Sequence, residues 1–137
     1  MVISKKTTTI LATAFTTVTI LAVPVYAAWS SVTADALVSF SNFSNYYKVN
    51  TTSKITASGS RASDEAIYHQ MWVTLDGGSY LTDDAYEATS PSNLKWTSGK
   101  EGDKATWGVS SAGEIFIGGA PSGIKDRDSH SKTHPGM

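Results

Sequence analysis

Three histidines and a few clustered carboxylates are the residues of this chain best suited to moving a proton or holding a metal ion. His69 shares its parity with Ile67, Met71, Val73 and Leu75, so in a strand it lies on an aliphatic face. That is the setting of a core histidine whose nitrogens are satisfied by neighbours. His130 and His134 stand four apart, downstream of Asp126 and Asp128. Such a set ligates a metal only if the segment is ordered. No helix or strand signal orders it, so no metal is assigned. Asp64-Glu65 and Asp83-Asp84 are adjacent pairs, and adjacent residues on a strand point to opposite faces. No calcium loop with alternating acids and a central glycine occurs, and no G-x-S-x-G elbow. The chain therefore reads as a non-enzyme with no catalytic residues, no metal and no cofactor.

Aromatic side chains offer a different chemistry. Trp29, Trp72, Trp96 and Trp107 join Tyr46, Tyr47, Tyr68, Tyr80 and Tyr86 in a chain of modest size. Most should fill a core. The remainder suit a binding face, because tyrosine and tryptophan give large contact area at low entropic cost and stack on sugar rings or partner surfaces. Tyr46 and Tyr47, flanked by Asn45 and Lys48, form the most exposed-looking cluster, and Trp72 sits opposite the aliphatic parity of its own segment. Those five residues are the binding candidates.

Short strands must position these groups. Residues 66–75 alternate as a strand running into Asp76-Gly77-Gly78, residues that tolerate φ > 0 in a tight turn. A helix competes there, since Ile67, Met71 and Leu75 recur every four residues. The strand is preferred because the run ends in β-prone W-V-T-L before the turn. Residues 29–40 alternate well, with Val32, Ala34, Ala36, Val38 and Phe40 on one face. A polar strand is expected over 49–59 and a weaker one over 79–88. Residues 94–97 and 105–110 read as arms of one hairpin, with Trp96 and Trp107 meeting across it. A last short strand falls at 113–118, and Ile115 and Ile117 join Val32, Val38, Ile67, Met71 and Val73 in the expected core. The class is all-β: a small antiparallel β-sandwich or barrel of about six or seven strands. Its expected bounds are 28–119, followed by a flexible polar tail over 120–137.

Residues 1–27 read as a cleaved signal peptide. Lys5 and Lys6 precede an uncharged, apolar and threonine-rich run to Val23, Pro24 breaks it, and Val25-Tyr26-Ala27 suits a signal peptidase. A retained membrane helix is the alternative. Losing Lys5 and Lys6 leaves nine basic against 12 acidic residues, a net charge of −3. With no concentrated basic face, nucleic acid is not an expected partner. Cysteine is absent, so an exported domain of this size holds together without disulfides. That habit fits a Gram-positive exoprotein.

The leader, a tryptophan near the mature N-terminus, Ser44-Asn45-Tyr46, Ser53-Lys54 and the tryptophan-bearing strand at Trp72 together resemble the lactococcin 972 family. That resemblance implies a secreted, cysteine-poor β-sandwich bacteriocin acting at the cell wall through the precursor lipid II. Ile55 and Thr56 stand where the family has a histidine after Ser-Lys, and the loop after Ser44-Asn45-Tyr46 is longer. The expected function is a secreted, non-catalytic protein that binds a cell-wall component or cell surface, as a bacteriocin does. A structural or adhesive matrix protein that self-associates is the alternative, and an exported hydrolase is third.

Overall fold

The computed structural model describes residues 28–137, and the expected leader lies outside them. Residues 29–58 and 64–137 form one compact body. Seven strands build it: β1 (Trp29–Asn42), β2 (Tyr47–Gly59), β3 (Glu65–Leu75), β4 (Gly78–Glu87), β5 (Ser92–Thr97), β6 (Ala105–Ile117) and β7 (Ala120–His134). They lie in two sheets ordered β1-β2-β5 and β4-β3-β6-β7. The two sheets face each other as a β-sandwich, and side chains from both fill the space between.

The central segment is a strand, not a helix. It buries Ile67, His69, Met71 and Val73 and turns outward Tyr68, Gln70 and Trp72, which stay half-buried. Asp76 and Gly77, at φ of 51° and 83°, close the two-residue turn to β4. One register irregularity follows, between Val73 and Thr74. It leaves Tyr80 without a direct partner on β3 and sends its ring toward Trp96 and Trp107, with centroids 5.4 and 5.2 Å away.

Trp96 and Trp107 do meet, at 5.9 Å, but not across a hairpin. β5 pairs with β2 in one sheet and β6 with β3 in the other, so the chain from 98 to 104 crosses between the layers. The expected hairpin fails because each arm finds a longer partner strand. The short strand expected at 113–118 is the end of the 13-residue β6. Ile117, expected in the core, is 42 % exposed, because it is the last residue of β6 and the chain turns there at Gly118-Gly119.

The largest correction concerns the tail. Residues 120–134 are the 15-residue strand β7, and the domain extends well past 119. Gly118-Gly119 is itself a two-residue hairpin turn, with φ of 59° and 84°. Three residues of β7 that face β1 carry acceptors instead of apolar groups. Asp126 Oδ2 accepts the N–H of Ala34 at 2.9 Å, Asp128 Oδ2 that of Ala36 at 3.0 Å, and His130 Nδ1 that of Val38 at 3.0 Å. β1 and β7 thus run parallel at the seam, joined by side chains where two paired strands would use backbone.

Packing between the sheets comes in two apolar clusters. Tyr47, Val49, Met71, Val73, Trp107 and Val109 anchor one, and Trp29, Ala34, Ile55, Ile67 and Ile115 the other. On β2, β3 and β6 alike the residues between them are polar: Thr51 and Ser53, His69, and Ser111.

Candidate functional site

That polar layer is the most chemically suggestive group in the molecule. His69 Nε2 lies 2.7 Å from Ser53 Oγ and Nδ1 2.8 Å from Ser92 Oγ, while Ser53 Oγ donates to Ser111 Oγ at 2.6 Å. With the Ser53 proton so used, Nε2 carries the imidazole hydrogen and Nδ1 accepts from Ser92. Desolvation lowers the His69 pKa to about 4, against the opposing pull of the Asp83 carboxylate. A serine beside a histidine suggests a nucleophile and its base, but Ser53, His69, Ser92 and Ser111 are all at most 2 % exposed. None of the four lines either of the two surface hollows described below. They stitch the two sheets together.

The five binding candidates do not form one site. Tyr47 is 1 % exposed, with its ring stacked on His134 at 3.7 Å and its hydroxyl donating to the carbonyl of Asp103 at 2.7 Å. It cannot meet a partner. The signal was present in the sequence, since Tyr47 shares the parity of Val49 and Ile55. Tyr46 stacks on Phe43 at 4.6 Å with the Lys100 ammonium 5.0 Å from its ring. Asn45 is exposed and Lys48 half-buried, and neither lies beside Trp72.

Trp72 belongs to a different surface, the outer face of the four-stranded sheet. Strand register sets the rows of this face: Thr82–Trp72–Ser110–Ser129, then Asp84–Gln70–Ala112–Arg127, then Tyr86–Tyr68–Glu114–Lys125. A trough of about 610 Å³ opens there, lined by Tyr68, Gln70, Trp72, Phe116, Lys125 and Arg127 among others. Its size is that of a small-ligand site. Tyr68, Tyr86 and Phe116 form a ring cluster with centroids 5.0 to 5.3 Å apart. The Tyr86 phenol is held above its ordinary pKa, first by desolvation and then by Tyr68. Arg127 lies over the indole of Trp72, 5.4 Å from its centroid. A second, smaller hollow of about 180 Å³ adjoins along the same strands and is lined by Thr74, Ser110, Ser129 and Ser131.

Alternation alone put Tyr68, Gln70 and Trp72 on one face. The contribution of β7 to that face was hidden by reading 120–137 as a tail. Among the described residues no three metal-ligating side chains converge, and no helix is long and apolar enough to cross a membrane. No protein-family model, curated protein or solved structure matches the chain, so the likeness to the lactococcin 972 family stands on its motif residues alone.

Proposed function

We infer that this chain is an exported, non-catalytic binding protein of the bacterial cell envelope, with the outer face of the β4-β3-β6-β7 sheet as its contact surface. One observation carries the reading. A half-exposed aromatic floor, Trp72 with Tyr68 and Phe116, is set among Gln70, Glu114, Lys125, Asp126 and Arg127 in an open trough, with Tyr86 packed against Tyr68 and Phe116. Rings flanked by polar groups are the usual means of gripping sugars and amphipathic partners. The leader-like first 27 residues and the lack of cysteine support export, and the family likeness supports a bacteriocin's mode of action.

Sedimentation of the mature chain with purified Gram-positive cell walls tests this. Trp72→Ala should weaken binding by about 2 kcal/mol, roughly thirtyfold, without altering the β-sheet spectrum. Growth inhibition of related cells by the soluble protein would support the bacteriocin reading. A protein that neither binds walls nor inhibits growth, and that polymerises, would be the structural alternative.

A further inference from the structure

Resting only on the export part of that reading, we propose that Glu65 is the receptor for the amino terminus created when the leader is removed. Cleavage thus does more than release the protein, because it locks the start of β1 onto β3. Glu65 opens β3, is 1 % exposed, and accepts the backbone N–H of Trp29 on Oε1 at 3.0 Å. Trp29 opens β1 and is itself buried, in the apolar cluster of Ala34, Ile55, Ile67 and Ile115. Ala28, the first residue after the expected cleavage point, is half-buried. The choice of acceptor is the first argument. Elsewhere in the interior a strand N–H is met by a neutral hydroxyl: Ser98 Oγ takes that of Val49 at 2.8 Å. A hydroxyl makes such a bond with far less desolvation, so a carboxylate at an equally buried position calls for positive charge beside it.

Position is the second argument. The Ala28 nitrogen lies one peptide unit before the Trp29 nitrogen, roughly 4 Å or less away by the dimensions of the chain. In the precursor it is an uncharged amide. Hydrolysis of the Ala27–Ala28 bond adds one water and leaves a carboxylate on Ala27 and an ammonium on Ala28. A full positive charge then appears next to the Glu65 carboxylate, where water is scarce and the attraction is strong. Both partners are held ready. Glu65 pairs with Ile117 at the end of β6, and the carbonyl of Asp64 accepts the N–H of Gly118 at 2.9 Å. Drawing the terminus away would pull the Trp29 side chain out of its apolar cluster. The precursor lacks the charge pair, so its folded body is the looser one until the leader is gone.

Protein purified from culture medium tests this. Terminal sequencing should find Ala28 first; a start at Trp29 serves as well, since that nitrogen is already on Oε1. A short pulse of an amine-acylating reagent near pH 7, read by peptide mass spectrometry, compares folded and urea-unfolded protein. The terminal amine should label at least about tenfold more slowly when folded, while exposed Lys54 and Lys95 change less than about threefold. Glu65→Gln should bring the terminal rate within about threefold of its unfolded value, with the β-sheet spectrum intact. A second measurement leaves Glu65 untouched. Converting the terminal amine to a keto group by transamination in urea, then refolding, should raise the unfolding equilibrium constant of the parent about tenfold and that of Glu65→Gln not at all. Protection that survives Glu65→Gln, or a transaminated parent as stable as before, overturns the proposal whether or not the protein binds walls. A chain that begins at Ala28 with a freely labelled amine defeats the proposal alone and leaves export standing. A chain that keeps Met1, or begins anywhere but Ala28 or Trp29, removes the leader reading and this proposal with it.

Discussion

His69 sits where an apolar side chain would pack, and its burial makes folding depend on pH. In the folded chain its pKa is lowered to about 4 from an ordinary 6.5, mainly by desolvation. The unfolded chain therefore binds the proton more readily than the folded one. Stability is complete above about pH 6.5, falls as pH drops toward 4, and is not reduced further by this group below that. The loss across the window is roughly 3 kcal/mol. Urea denaturation from pH 7 to pH 4 measures it, and His69→Gln should flatten the part of the slope due to this residue. The same network makes Ser53 sensitive. Ser53→Ala strands the Nε2–H of His69 in the core, which should cost about 1–3 kcal/mol at pH 7, read from the denaturation midpoint. Gly113 faces the opposite constraint. A Cβ there would meet Cγ2, Cγ1 and Cδ1 of Ile55 from the facing sheet, so the position beside His69 needs a glycine for space and not for backbone freedom.

At the scale of elements, the seam between β1 and β7 makes a prediction that burial alone would not. Ala34, Ala36 and Val38 donate to side chains, so each acceptor can be removed singly. Asp126→Ala leaves the part-buried Ala34 N–H without its acceptor and should cost about 1.5–3 kcal/mol. Asp128→Ala should cost well under half of that, because the Ala36 N–H is exposed and water can replace the carboxylate. Hydrogen exchange should show the amides of Ala34 and Ala36 speeding up in the corresponding variants while the β3 amides do not change. Equal losses from both variants would mean that the seam is held by something other than these acceptors. The seam also explains what the sequence concealed. β1, β2 and β3 were legible because their inward residues alternate with outward ones, even where β2 buries Thr51 and Ser53. β7 was not, because Asp126, Asp128 and His130 point inward as acceptors, and a run of acids and serines with one isoleucine resembles a solvated tail. The Gly118-Gly119 turn just before it was the one local sign of a returning strand. The trough stayed half-legible for the same reason: β3 supplied its rings in plain alternation, whereas its cations lie on the strand that read as a tail.

For the whole molecule, the sandwich is sealed along one side and open along the other. β1 and β7 are latched by side chains, while β5 and β4 each pair on one edge only. β5 is short, six residues, and carries Lys95. β4 has ten residues and is largely exposed, the more dangerous of the two edges. Its middle holds Asp83 and Asp84, aligned with Met71 and Gln70 of β3. Adjacent acids point to opposite faces of the strand, so a second β4 paired antiparallel about its middle would bring carboxylates toward carboxylates on both faces. The Val73/Thr74 irregularity further spoils the straight edge a neighbour would need. This arrangement separates the envelope binder from a self-assembling matrix protein. The parent chain should elute as a monomer, by size exclusion with light scattering, across a wide concentration range. Asp83→Thr/Asp84→Thr, which swaps both charges for strand-favouring residues, should show concentration-dependent oligomers and a rise in dye-binding cross-β material. A parent chain that polymerises unaided would show that these acids do not guard the edge, and the structural reading would then replace the envelope-binding one.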